Sequence, residues 1–137
     1  MNARWSQRGQ SLVETALVLP ILLIILMGIF DFGRAIFAYN AVSNAAREAA
    51  RVAIVNQNTT GVVDEGKRSA IGLNPDTVDV TFAITGAGCG TVLVGCTAQV
   101  TVDHEWSAIT PIIGSVVGPI QLSSTTEMPV ERAFSSP

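Results

Sequence analysis

The stretch RGQSLVETALVLPILLIILMGIF, from Arg8 to Phe30, decides the fold of this chain. Between Ala16 and Phe30 it contains no charged residue and no hydroxyl group. A helix from Gln10 to Phe30 would be roughly 30 Å long at about 1.5 Å per residue, which is enough to cross the hydrocarbon core of a bilayer. One acid, Glu14, interrupts the beginning of this stretch. A carboxylate in such a segment is costly unless it is paired, so Glu14 is a candidate functional residue.

The composition supports an anchored domain and excludes several classes of function. A chain of 137 residues suits one compact domain with an anchor or a tail. Apolar residues make up 48% of the chain and charged residues only 14%, which is low for a soluble protein. The net charge is -3 and no cluster of lysine and arginine is present, so we predict no nucleic-acid partner. With one histidine and no metal-ligand spacing, we also expect no metal and no cofactor.

A cleaved secretory signal is the first alternative reading of the apolar stretch. Such a signal has a basic start, which Arg4 and Arg8 supply, and a small-x-small cleavage site after the apolar run. The sequence after Phe30 reads DFGRAIF and contains no such site, so we predict a retained span. Because the negative charge of Asp31 balances the positive charge of Arg34 after the span, the net positive charge lies before the span, at Arg4 and Arg8. This places the N-terminus in the cytoplasm and the rest of the chain outside.

The compartment decides the state of the two cysteines, Cys89 and Cys96. A C-x6-C pair with no second pair and no nearby histidine is a poor zinc site. In the cytosol the pair would remain two thiols, whereas outside the membrane it would form a short-loop disulfide. Since export is predicted, we predict the disulfide.

A long helix is expected to continue beyond the apolar stretch. Pro20 should kink it or loosen one turn, which membrane helices tolerate. Asp31 and Arg34 have i, i+3 spacing and are expected to pair as the helix leaves the membrane. The helix is predicted to run on from Phe32 to about Val55. One face of this part is rich in alanine and suits close contact with a partner surface: Ala38, Ala41, Ala45, Ala49 and Ala53.

The remainder of the chain predicts a small antiparallel sheet. Apolar and polar residues alternate over 78–84 and over 98–106, which predicts a hairpin with the cystine near its tip. A third strand is expected over 122–130, where Pro129 indicates a sheet edge or a strand end. A second helix is predicted over 62–73 and a brief apolar helix or loop over 109–117. The predicted fold class is therefore α+β, with a long N-terminal helix packed on the sheet.

A catalytic role is not expected. Asp103, His104 and Glu105 are adjacent, but in a strand His104 points to the opposite face from the two acids. The serines lack the glycine elbow that would expose a nucleophile. No phosphate loop or dinucleotide motif is present, so we predict neither an enzyme nor a small-molecule substrate.

The residues around Glu14 also resemble a known signal. Arg8-Gly9, then QSLV, then Glu14 and a long apolar helix resemble the class III signal of type IV pilins. The resemblance implies that a prepilin peptidase cuts between Gly9 and Gln10, which makes Glu14 the fifth residue of the mature chain. The wider pattern resembles the TadE-like proteins of tight-adherence (Tad, or Flp) pilus systems, in three stretches: RGQSLVETALVLPILL, GIFDFGRAIFAYNAVSNAAREAARVA and ITPIIGSVVGPIQLSSTTEMPVE.

This resemblance implies a structural subunit. Its parts would be a leader peptide over 1–9, a membrane or filament-core helix over 10–31, an exported helix over 32–56 and an α+β head over 57–137. The length favours a minor pilin. Its expected partners are the prepilin peptidase, other pilin subunits, the pilus assembly platform and, before extraction, the inner membrane. The final location would be an extracellular pilus.

Two readings of Glu14 remain open. In a filament, Glu14 would pair with the new α-amine of Gln10 on a neighbouring subunit and set the subunit register. In an uncleaved anchor, Glu14 would lie at the membrane edge and reach the headgroups. The second reading corresponds to the alternative function, a single-pass, membrane-anchored scaffold or binding domain of a secretion or adhesion apparatus.

Overall fold

The computed structural model describes residues 4–89 and 94–131. The first part of the predicted leader, 1–3, and the last part of the predicted head, 132–137, lie outside the described residues. Along the chain, the elements are α1 (Arg4–Ala53), α2 (Thr59–Ser69), a 3-10 turn (Pro75–Thr77), β1 (Val78–Thr85), β2 (Thr97–Trp106), α3 (Pro111–Val117) and β3 (Ile120–Pro129).

Helix α1 is continuous through the apolar stretch and the alanine-rich stretch. It ends at Ala53, close to the predicted end at Val55. Pro20 lies inside it and removes one backbone hydrogen-bond donor, while the helix persists on both sides. Only α1, among the described residues, is long and apolar enough to cross a membrane, and its most apolar window is uncovered.

Three antiparallel strands form one sheet in the order β1-β2-β3. The register pairs Val80 with Val102, and Val102 with Ser124. The alternation of apolar and polar residues therefore predicted the hairpin correctly, and β3 lies at a sheet edge as expected. The predicted α+β fold, a long N-terminal helix on a small antiparallel sheet, is confirmed.

Helix α2 begins three residues before the predicted start because its N-terminus is capped. The backbone N–H of Thr60 donates to Asn58 Oδ1 at 3.0 Å, and Asn58 has extended backbone angles. At the other end the helix stops at Ser69, short of the predicted Leu73. The Leu73 backbone N–H instead donates to the carbonyl of Ala70 in a tight turn.

The core lies where the alanine face of α1 meets the sheet and α2. Ala45, Ala49 and Ala53 are fully buried, so the partner surface expected for this face is the chain's own head. Their small side chains let the α1 backbone approach closely. The largest fully buried side chains come from all three elements: Val42, Val62, Val78, Val100 and Val102.

A glycine in α2 allows this close packing. A Cβ added to Gly66 would lie 2.9 Å from Val80 Cγ2 and 3.4 Å from the Cβ of Ala49. The valine side chain is stiff at χ1 and cannot easily move away. Gly66 therefore sets the distance at which α2 packs on β1 and α1.

Gly66→Ala is expected to lower the free energy of unfolding by about 1–3 kcal/mol, because it overpacks this contact. Gly61 is the matched control, since it lies in the same helix with nothing within 4 Å of an added Cβ. Gly61→Ala should raise the free energy of unfolding by about 0.5–1 kcal/mol through helix propensity. Urea unfolding of the full chain in detergent micelles, followed by near-UV circular dichroism, measures both. Equal effects of the two substitutions would contradict the packing role of Gly66.

Candidate functional site: the exposed N-terminal helix

An uncovered apolar band surrounds the first half of α1. Every large apolar side chain from Leu12 to Phe30 is exposed. A monomer in water does not keep a patch of this size uncovered, because burying apolar surface is favourable. The band is therefore suited to contact with lipid acyl chains or with another apolar surface.

Glu14 lies within this band. Its side chain is exposed, and none of the described residues pairs with or hydrogen-bonds to its carboxylate. At spacings of four residues, Glu14, Val18 and Leu22 follow one face of the helix. The carboxylate is therefore open to a cationic group of another molecule or to the lipid headgroup region.

Gly9 and Gln10 are exposed on the same helix. They have helical backbone conformation, and nothing lies within 4 Å of a Cβ added to Gly9. A peptidase that cuts between them needs the chain to unwind locally. Glycine lowers the cost of that unwinding by about 1 kcal/mol relative to alanine. Because Gln10 and Glu14 are four residues apart, they occupy neighbouring turns of one face.

Cys89 and Cys96 form a disulfide beyond the paired end of the β1–β2 hairpin. Their Cα atoms are 5.9 Å apart. Closing a loop this short stabilises the fold by about 2–3 kcal/mol in the chain-entropy model. Next to it, the backbone N–H of Val130 donates to the carbonyl of Cys96 at 2.8 Å, which fixes the cystine to the end of β3.

Asp31 has partners that the sequence did not reveal. The predicted pair with Arg34 is present, with 3.5 Å between Asp31 Oδ1 and Arg34 Nη1. The closer contacts are to the backbone before α3: the N–H of Ile109 donates to Oδ1 at 3.0 Å and the N–H of Thr110 to Oδ2 at 3.0 Å. Asp31 is only 4% exposed.

These contacts hold the residues immediately before α3 against α1. Thr110 is the N-cap residue of α3, and its own side chain makes no capping hydrogen bond. The Asp31 carboxylate on α1 binds the backbone N–H groups of Ile109 and Thr110, and so ties the start of α3 to the end of the apolar stretch. In the sequence, the only indication of this contact is that a charged residue, Asp31, directly follows the apolar stretch.

His104 packs against the turn before β1, and it lines an open cleft together with Asp103 and Glu105. Its Nδ1 lies 3.1 Å from the Thr77 carbonyl and 3.3 Å from Thr77 Oγ1. Asp103 pairs in register with Asp79. Over 4–89 and 94–131, no group of three or more His, Cys, Asp or Glu residues could hold a metal ion.

The described helix, with its exposed band and its alanine face, coincides with a known family segment. Residues 9–51 match the family of TadE-like proteins. The resemblance to TadE-like proteins is confirmed over this segment, which runs from the predicted cleavage site almost to the end of α1. The chain thus carries a TadE-like segment that covers most of α1. The TadE-like match does not extend over the sheet. No curated protein and no solved structure is significantly similar to the chain.

Proposed function

We propose that this chain is a pilin-like structural subunit, a minor pilin, of a Tad/Flp-type pilus. A prepilin peptidase removes residues 1–9, and the subunit then assembles through α1. The observation that carries this proposal is the apolar first half of the TadE-like helix, whose large apolar side chains from Leu12 to Phe30 are exposed and which holds one carboxylate, that of Glu14. Such a helix suits both a membrane before assembly and a bundle of like helices afterwards.

The pairing of Glu14 would set the axial position of each subunit. Cleavage creates a cationic α-amine on Gln10, with an ordinary pKa near 8. Along α1, Glu14 lies about 6 Å from Gln10 at 1.5 Å per residue. A neighbour displaced by roughly one helical turn therefore brings its amine to this carboxylate. Inside an apolar bundle, an unpaired charge costs about 3–5 kcal/mol, so other registers are disfavoured.

The head stays outside the membrane in this proposal. The disulfide between Cys89 and Cys96 suits an oxidising compartment. The subunit waits in the inner membrane, is extracted by the pilus assembly platform and joins other pilin subunits in an extracellular filament. Its role is structural, with no catalysis, cofactor, nucleic acid or small-molecule substrate.

A second candidate function rests on the same apolar band. Because the band is long enough to span a bilayer, an uncleaved chain would serve as a permanently anchored scaffold of the secretion or adhesion apparatus. Glu14 would then reach the headgroups at the inner membrane surface. The two candidates differ in whether the chain is cut after Gly9.

The test is the intact mass of the protein from membranes and from sheared surface filaments. We expect a species that begins at Gln10 in the filaments, and we expect Gly9→Ala to abolish it. Gly33→Ala is the matched control, because Gly33 also lies in α1 with nothing within 4 Å of an added Cβ. Finding only the full-length form, confined to membranes, would reject the pilin and favour the scaffold.

A further inference from the structure

The segment around α3 is apolar and largely exposed. From Trp106 to Thr126 the chain contains no charged residue. Ile109 is 71% exposed, Val116 81% and Val117 51%. Exposed aliphatic residues grouped in one short helix and its flanks form an interaction surface.

This surface lies at the depth of the outer end of the apolar stretch. A Cβ added to Gly28 would be 3.5 Å from Ile113 Cδ1, so α3 packs directly against the last apolar turn of α1. Asp31, one turn further, binds the start of α3. The exposed apolar surface of α1 continues past this level to Phe37 and Tyr39. A membrane that covers α1 up to Phe30 therefore reaches α3 as well.

The backbone of this segment is suited to a medium that offers few hydrogen bonds. In lipid, backbone N–H groups must be satisfied within the protein. Asp31 accepts the N–H groups of Ile109 and Thr110, and the N–H of Gly118 donates to the carbonyl of Gly114 at 3.0 Å. Pro111 and Pro119, which flank the helical turns, have no N–H.

We propose that α3 and its flanks, residues 109–120, form a second membrane contact that inserts into the outer leaflet at the boundary of headgroups and acyl chains. The occupant of the surface is lipid, because the surface is uncharged and continuous with the lipid-exposed band of α1. An apolar face of this kind binds at the interface in proportion to its buried area. The proposal rests on the membrane placement of α1 in the proposed function, but not on cleavage or filament assembly.

The test measures the depth of single introduced cysteines in the full chain. Both natural cysteines are in the disulfide, so each variant has one thiol for a fluorophore. The test position is Val116→Cys. The control, Val94→Cys, is also exposed, at 56%, but lies beside the end of β3, which contacts Ile54. That end of the head is roughly 34 Å along α1 from Asp31 at 1.5 Å per residue. Leu22→Cys reports the membrane span itself.

The labelled proteins are reconstituted in vesicles of phosphatidylethanolamine and phosphatidylglycerol that contain a lipid with a nitroxide near the headgroup end of its acyl chain. With this shallow nitroxide, we expect the fluorescence quenching at position 116 to be several-fold stronger than at position 94. In separate vesicles whose lipid carries the nitroxide deep in the acyl chain, we expect quenching at position 22. Quenching at 22 but equal, weak quenching at 116 and 94 would overturn the second contact alone. No quenching at 22 would reject the membrane placement of α1, and with it both proposals.

Discussion

Asp31→Asn is expected to release the segment before α3 from α1. The asparagine keeps one oxygen acceptor but turns an N–H₂ group toward one of the two backbone N–H donors that the carboxylate now binds. One buried backbone donor is then left without a partner, and the other loses a charge-assisted bond. Amide hydrogen exchange of Ile109 and Thr110 should become roughly 10- to 100-fold faster, measured by mass spectrometry of the full chain in micelles.

Arg34→Gln is the control that removes the ion pair and keeps the contacts of Asp31 with the backbone before α3. Arg34 lies 3.5 Å from Asp31, and its side chain is 48% exposed, so the pair contributes little. The same two amides should change their exchange by less than about fivefold in this variant. If Arg34→Gln accelerated exchange as much as Asp31→Asn, the ion pair and not the backbone contact would hold α3 in place.

Glu14→Gln is expected to leave the protein in the membrane and remove it from filaments. Glutamine is neutral, so the cost of inserting α1 does not rise. In the filament, however, the amine of a neighbouring Gln10 would lose its counter-charge in an apolar bundle, at a cost of about 3–5 kcal/mol. The amount of subunit in sheared filaments, relative to the membrane pool, should fall by roughly 100-fold or more, measured by quantitative immunoblotting.

Glu48→Gln serves as the matched control for Glu14→Gln. Glu48 lies on the same helix, and its partner is the exposed Arg51 at 3.1 Å. Its loss should leave filament incorporation unchanged, because exposed pairs contribute about 0–1 kcal/mol. Normal incorporation of Glu14→Gln would refute pairing as the source of register. If the protein also stayed at full length, the uncleaved scaffold would become the better description.

Much of this fold could be predicted from local patterns. Two adjacent patterns each predict a helix: the charge-free stretch that ends at Phe30 and the regular spacing of alanines after it. Helix α1 covers both of them. The alternation over 78–84 and 98–106 predicts half-buried strands, and the register pairs Val80 with Val102 as that pattern requires. In these segments, local propensity and burial favour the same structure, so the sequence was sufficient.

The contacts of Asp31 and α3 could not be predicted in this way. Ile109 and Thr110 follow Asp31 by 78 and 79 residues, and no local pattern relates positions so far apart. The spacing of Asp31 and Arg34 indicated the weaker, exposed interaction and left the backbone partners hidden. The start of α2 was missed for a different reason: Asn58 caps it, although the apolar pattern becomes clear only at Val62.

The attachment of the head to α1 has a mechanical consequence. One attachment is the bond from Thr110 to Asp31, and another joins the N–H of Glu131 to the Ile54 carbonyl at 3.1 Å, beyond the opposite end of the packed face. The alanine contacts lie between these two points. A force along the axis of α1 therefore loads the helix-sheet interface in shear, so many contacts resist it together and no single end is peeled open. A subunit pulled by its N-terminal helix would keep its head folded.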